Sequence, residues 1–216
     1  MNKKVILVHG YLKNHRDMID LKKNLEVLGY EGILVDLPLT FNSIGYATRV
    51  FEEKINEIIL SLKEDEKINL VGHSTGGLVI RLFLSNTKYI SKIYRCVLIA
   101  TPNEGSQLAD IASKLSRTFV NIFRTLKSLK GENVEKLNLI HREGIDIGAI
   151  AGNKSGILLG KLMENENDGR VEVSSAKCEK LKDFIIIPYH HNRIHHKFET
   201  AKLVDCFLKN GQFNIN

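Results

Sequence analysis

The sequence predicts an α/β protein: a mainly parallel six-stranded sheet with helices on both faces and a small helical insertion. Short apolar runs rich in β-branched residues alternate with stretches of helical periodicity along the 216 residues. The runs lack the in–out alternation of a half-exposed strand, as expected of strands covered on both faces. A turn of glycines around a serine, Gly72-His73-Ser74-Thr75-Gly76-Gly77, joins one such run directly to a helix-like stretch.

Taken in order, strands are expected at Val5–Val8, Gly32–Asp36, Ile68–Val71, Cys96–Ala100, Asp146–Ala151 and Phe184–Pro188. Between them the spacing predicts helices at Asp17–Leu28, Ile44–Leu62, Gly76–Ser85 and Thr200–Leu208. The second helix shows its face most clearly. Val50, Phe51, Ile55, Ile58, Ile59 and Leu62 recur every three or four residues, and Glu52, Glu53, Lys54, Asn56 and Glu57 fall elsewhere. The stretch 105–142 breaks the rhythm. Leu108, Ile111, Leu115, Phe119, Ile122, Phe123, Leu126 and Leu129 stand there among polar and basic residues, a spacing that suits one or two amphipathic helices. Lying between two core strands, such a segment serves either as a cap over a site or as a further part of the outer layer. Residues 1–216 read as a single domain, with 105–142 as its helical insertion.

Composition excludes several classes of function. Apolar residues make up 43% and charged residues 26%, ordinary for a globular domain. The net charge of +6 is scattered, with no Lys/Arg block or aromatic-interleaved stripe, so nucleic-acid binding is not expected. Three widely spaced cysteines, Cys96, Cys178 and Cys206, form no Cys-x-x-Cys pair and indicate neither zinc nor a disulfide framework. No apolar stretch has the length of a membrane span. A strand begins almost at once, at Lys3-Lys4-Val5, leaving no room for a signal peptide, and a cytoplasmic location is expected.

Ser74 is the candidate nucleophile. A chain that leaves a strand and enters a helix within one residue holds that residue on a strained turn with its hydroxyl exposed, and flanking glycines permit the close approach. The helix N-terminus then aims N–H groups at a developing oxyanion. A serine hydroxyl needs a base held by a third group. In this architecture, partners are expected beyond the carboxyl ends of strands. Asp168, in a polar turn after the fifth strand, is the candidate acid, with Glu166 and Asp146 as alternatives. Four histidines follow the last strand, and His191 is the candidate base ahead of His190 and His195. The chain order serine, acid, histidine agrees with this set. The oxyanion donors are expected to be the backbone N–H groups of Thr75 and, after His9-Gly10, Tyr11. No Cys, Asp or Glu accompanies the histidines at a recognised ligand spacing, so no metal site is expected.

With these motifs in place the chain resembles the α/β-hydrolase superfamily, in particular compact serine lipases and esterases. The resemblance rests on His9-Gly10, on Gly72 to Gly77, and on Thr101-Pro102-Asn103-Glu104-Gly105-Ser106, which looks like the segment that opens the cap in lipase-like members. Asn167-Asp168-Gly169-Arg170-Val171 with Ser174-Ser175-Ala176 is similar to their acid loop, and Ile187-Pro188-Tyr189-His190-His191 to their histidine loop. The first strand corresponds to the family's third. The resemblance implies the α/β-hydrolase fold, an acyl-enzyme on Ser74, no cofactor and a small-molecule ester as substrate, and the apolar residues of the expected cap favour an apolar acyl group. Thioesterase or acyltransferase activity on the same residues, and a non-catalytic binding module on the same scaffold, are the alternatives.

Overall fold

The computed structural model describes residues 3–107, 109–110, 124–137, 139, 141–155, 163 and 165–214. Six strands form one sheet: β1 (Lys4–Val8), β2 (Glu31–Val35), β3 (Ile68–His73), β4 (Ile93–Ile99), β5 (Asp146–Gly152) and β6 (Asp183–Ile187). All neighbouring pairs are parallel, in the order β2-β1-β3-β4-β5-β6. The α/β-hydrolase expectation therefore holds for the sheet, which is wholly parallel.

The helices fall on two faces because strand side chains alternate. Ile6 and Val8 of β1, Leu70 of β3 and Leu98 of β4 point into one core with Phe51 and Ile55 of α2 (Ile44–Leu60) and Leu78 and Phe83 of α3 (Thr75–Asn86). Val5 and Leu7, Val71, and Val97 and Ile99 point into the other. There they meet Leu21 and Leu25 of α1 (Ile19–Val27), and Val204 and Phe207 of the last helix. Phe51 and Phe83 meet edge to face, with centroids 5.2 Å apart.

Capping sets the helix limits. Ser43 accepts from Tyr46 N at 3.2 Å to start α2. Asp17 falls outside α1, in a 3-10 turn (His15–Met18) opened by the Asn14 side chain, which accepts from Arg16 N. Covering is incomplete at the sheet edge: Ile186 of β6 is 40% exposed, against the expectation of strands buried on both faces.

Most of the hydrophobic positions expected to form the insertion, Leu108, Ile111, Leu115, Phe119, Ile122 and Phe123, lie outside the described residues. Its described part contains two short helices, α4 (Arg124–Ser128) and α5 (Gly131–Glu135). Leu129 and Val134 are buried in the α2/α3 core, and Thr125 Oγ1 donates to Asn42 O at 2.6 Å. A four-residue α6 (Val173–Ala176) precedes β6, and α7 (Phe198–Asn210) ends at Gly211, whose φ of 77° is the left-handed helix stop.

Candidate active site

The order of the sheet reverses between β1 and β3, and ligand crevices in such sheets lie outside the carboxyl ends of the strands at that point. Ser74 stands there, directly after β3. Its φ of 55° and ψ of −128° are strained for a residue with a Cβ, and its N–H is fixed by Ile99 O at 2.8 Å. Close packing demands the glycines around it. A Cβ on Gly72 would lie 2.6 Å from Gly77 N, and one on Gly76 would lie 2.5 Å from His9 O.

The histidine and acid loops leave the far side of the sheet. The pairing of Gly152 with Ile187 ends β5 and β6 level with each other. His191 Nε2 lies 2.9 Å from Ser74 Oγ, and its Nδ1 lies 2.8 Å from Asp168 Oδ2. All three residues are buried: Ser74 is 8% exposed, His191 2% and Asp168 1%, so the exposed hydroxyl expected of the turn is not found, because the base packs over it. Since a carboxylate only accepts, Nδ1 carries the proton and Nε2 presents a lone pair to the hydroxyl. The other oxygen, Asp168 Oδ1, accepts from Arg170 N at 2.9 Å and Val171 N at 2.8 Å, while His191 N donates to Asp168 O at 2.9 Å. The acid is thus held in orientation by its own turn.

The two N–H groups expected to receive an oxyanion flank Ser74. Thr75 is the first residue of α3, and the turn carrying Tyr11 follows β1, which pairs with β3 up to Val8 opposite Gly72. A Cβ on Gly10 would lie 2.9 Å from Ser74 Cβ. The main-chain N–H of neither Tyr11 nor Thr75 donates to another described residue. His9 braces this loop: its Nδ1 lies 2.9 Å from Gly10 O, and its Nε2 accepts from Leu37 N at 3.0 Å. A nitrogen that accepts from a backbone N–H is unprotonated, so His9 is neutral, and its 3.2 Å approach to Asp36 is no ion pair. Burial accordingly pushes the His9 pKa down, against the pull of Asp36. Burial also raises the Tyr11 phenol, with Arg170 opposing it.

The remaining candidates are placed elsewhere. Asp146 opens β5 at the opposite edge and pairs with Arg95 at 3.2 Å, and Glu166 is exposed and accepts from Asn153 Nδ2. His195 is 1% exposed and lies 3.1 Å from Asp17, not beside Ser74. His73, the residue before the serine, is buried under its ring and donates from Nε2 to His191 O at 3.1 Å. Burial, and then the neighbouring histidines His195 and His191, hold the His73 pKa well below the usual value.

The segment 101–106 contributes a clamp that composition alone did not reveal. Asn103 N donates to Ser175 O at 2.8 Å, Asn103 Nδ2 to Ala176 O at 2.7 Å, and Ser106 Oγ to Arg170 O at 3.2 Å. Arg81 of α3 holds Asn103 Oδ1 at 3.0 Å. The loop carrying Asp168 is thereby tied to α3, the helix that follows Ser74.

A family model described as the alpha/beta hydrolase fold matches residues 3–139. The chain belongs to the alpha/beta hydrolase family. Among curated relatives of this alpha/beta hydrolase, salicylic acid-binding protein 2 of Nicotiana tabacum is 36% identical over 107 residues, 45% of this chain and 39% of that protein. Triacylglycerol lipase 2 of Saccharomyces cerevisiae is 28% identical over 116 residues, 52% of this chain and 33% of that one. The chain thus spans well under half the length of both. Among solved structures, the mature lipase BlEst2 of Bacillus licheniformis superposes with a TM-score of 0.80 at 22% identity, over 99% of this chain and 93% of that one. A metagenomic carboxyl esterase does so at 0.79 and 17% identity, over 97% and 76%. At such identities the likeness is one of fold, and it is to lipase- and esterase-type members.

Proposed function

We propose that this alpha/beta hydrolase cleaves carboxylic esters through an acyl-enzyme on Ser74. The observation that carries the reading is the unbroken line of contacts from Ser74 Oγ through His191 to Asp168, at 2.9 and 2.8 Å. Ser74 Oγ attacks the ester carbonyl carbon while its proton passes to His191 Nε2. Asp168 stays ionised and steadies the imidazolium through Nδ1–H. The carbonyl oxygen, now an oxyanion, accepts from the N–H groups of Tyr11 and Thr75. His191 returns the proton to the leaving alkoxide as the C–O bond breaks. Water then attacks the acyl-serine, giving its proton to His191 and its oxygen to the acid, and His191 reprotonates Ser74.

Acyl transfer of this type runs on protein groups alone. A small ester with an apolar acyl group suits the apolar residues of the insertion at 105–142, read from the sequence as a cap. A fluorophosphonate probe is expected to label Ser74, with the modified residue mapped by mass spectrometry. Short and medium p-nitrophenyl esters are expected to be hydrolysed, with activity lost in a folded Ser74→Ala variant. Turnover by that variant at the parent rate would refute the nucleophile.

A further inference from the structure

The base is held by its main chain as well as by its ring. His191 lies on the segment 188–197 between β6 and α7, and three contacts pin that segment to three other parts of the site. His191 N donates to Asp168 O at 2.9 Å, which ties it to the acid loop. His191 O accepts from Nε2 of His73, the residue before the nucleophile, at 3.1 Å. Four residues on, His195 pairs with Asp17 of the 3-10 turn before α1, Nε2 to Oδ2 at 3.1 Å. The chain between is folded back by Ile194 N, which donates to His190 O at 3.0 Å. The His73 and His195 rings stack, with centroids 3.8 Å apart, so the second and third contacts support each other. Lys13 takes the other Asp17 oxygen, Oδ1, at 3.1 Å.

The chemistry at position 73 is specific. A carbonyl only accepts, so the single proton of a neutral His73 lies on Nε2. A charged donor could make the same bond. Its charge would then stand beside the imidazolium that forms on His191 when Ser74 gives up its proton, because the two rings are only 4.9 Å apart. Burial under His195 keeps His73 uncharged, so it grips the carbonyl without opposing that imidazolium. The grip bears on the chemistry because carbonyl and imidazole belong to one residue. A shift of the His191 peptide carries Nε2 away from Ser74 Oγ, now 2.9 Å distant.

We infer that His73 is a positioning residue for ester cleavage: it holds the His191 peptide so that Nε2 stays against Ser74 Oγ, and the His195–Asp17 pair braces its ring. The inference rests on the reading of Ser74, His191 and Asp168 as the reacting set. His73 acts through His191, since its hydrogen bond goes to a main-chain carbonyl and not to a reacting atom. Residues 73 and 74 are neighbours at the end of β3, so one strand end sets both partners of the proton transfer: Ser74 carries the nucleophile, and His73 places the base that receives its proton. Nothing local marks His73 for this role, because its partner is 118 residues away in sequence.

The test compares His73→Phe, which keeps a flat ring and loses the donor, with His73→Gln, whose amide N–H takes the place of the imidazole Nε2–H. Turnover of a p-nitrophenyl ester is counted per site titrated to completion by the fluorophosphonate probe, so that unfolded chains drop out. The kcat of His73→Phe should fall about a hundredfold, as a misplaced base costs, with KM little changed, while that of His73→Gln stays within about tenfold of the parent. A kcat for His73→Phe less than about tenfold below that of His73→Gln would overturn the inference. Should His73→Phe fail to fold, Asp17→Ala, at a partly exposed position, carries the test: its kcat should fall about tenfold with KM unchanged, and a parent-like kcat would remove the brace. A second readout needs no substrate. The proton between His191 Nδ1 and Asp168 should give a downfield 1H NMR resonance in the parent and in His73→Gln that is shifted or broadened in His73→Phe. The same resonance in all three would also overturn the inference. A parent that neither turns over nor takes the probe would instead refute the ester-cleaving reading, and the resonance would still report whether His73 holds the base.

Discussion

At the scale of single residues, the site depends on which atom carries each proton. Asp168 selects the His191 tautomer whose Nε2 can take the Ser74 proton, and its second oxygen is already occupied by two backbone N–H groups. Asp168→Asn keeps the shape but can donate an amide N–H to Nδ1, favouring the tautomer that has no lone pair for serine. Ester turnover is expected to fall by about ten-thousand-fold, with circular dichroism and the urea midpoint little changed. Steady-state kinetics on a p-nitrophenyl ester would check it, and a loss of less than tenfold would remove Asp168 from the orienting role.

At the scale of elements, close packing of strand on helix sets the tolerances. A Cβ on Gly148 of β5 would lie 2.5 Å from Phe207 Cε2 of α7 and 2.8 Å from Phe213 Cζ. Gly148→Ala must displace two aromatic rings, and a loss of about 1–3 kcal/mol in urea unfolding is expected. The clamp from 101–106 yields a companion prediction. Asn103→Ala strips the Ala176 carbonyl of its donor and removes the Oδ1 that Arg81 holds, and should cost about 1–3 kcal/mol while loosening the loop that carries Asp168. Its kcat should fall by more than its KM changes.

The elements that local pattern controls were readable in advance. Five-residue apolar runs and the Gly72–Gly77 turn need only neighbours in sequence to be recognised. β4 begins at Ile93, ahead of the expected Cys96, because Tyr94 and Arg95 lie in its partly exposed first half, where Arg95 pairs across to Asp146. No local pattern could announce that pairing. The same holds for Asp17: it reads as a first-turn helix residue, and only the tertiary fold brings it 3.1 Å from His195. Ser74, Asp168 and His191 were legible as strand-end positions, with His191 placed ahead of His190 and His195, whereas the 2.9 and 2.8 Å contacts among them needed the tertiary fold.

At the scale of the whole molecule, buried histidines couple stability to pH. His9 is fully buried and neutral, and burial holds its pKa below the ordinary value of 6.5 in spite of Asp36 and Asp17 nearby, with His15 opposing them. Between the folded and unfolded values, the unfolded chain binds more protons, so stability rises with pH across that window. It should be full above about pH 6.5 and decline below it, by at most about 1.4 kcal/mol per pH unit for this one group. Urea midpoints measured on both sides of that value should show a shallower acid decline in His9→Gln than in the parent. Parallel profiles would show that His9 is not a source of the slope.

Gly152 stands where all these scales meet. A methyl group there would lie 2.4 Å from Tyr189 O and 2.9 Å from Asp168 Cβ, so one carbon would push apart the two loops that meet at the end of β5. Anyone diversifying this scaffold by random mutagenesis should find that position silent: surviving clones keep glycine there, and loop libraries on either side succeed only when they inherit it.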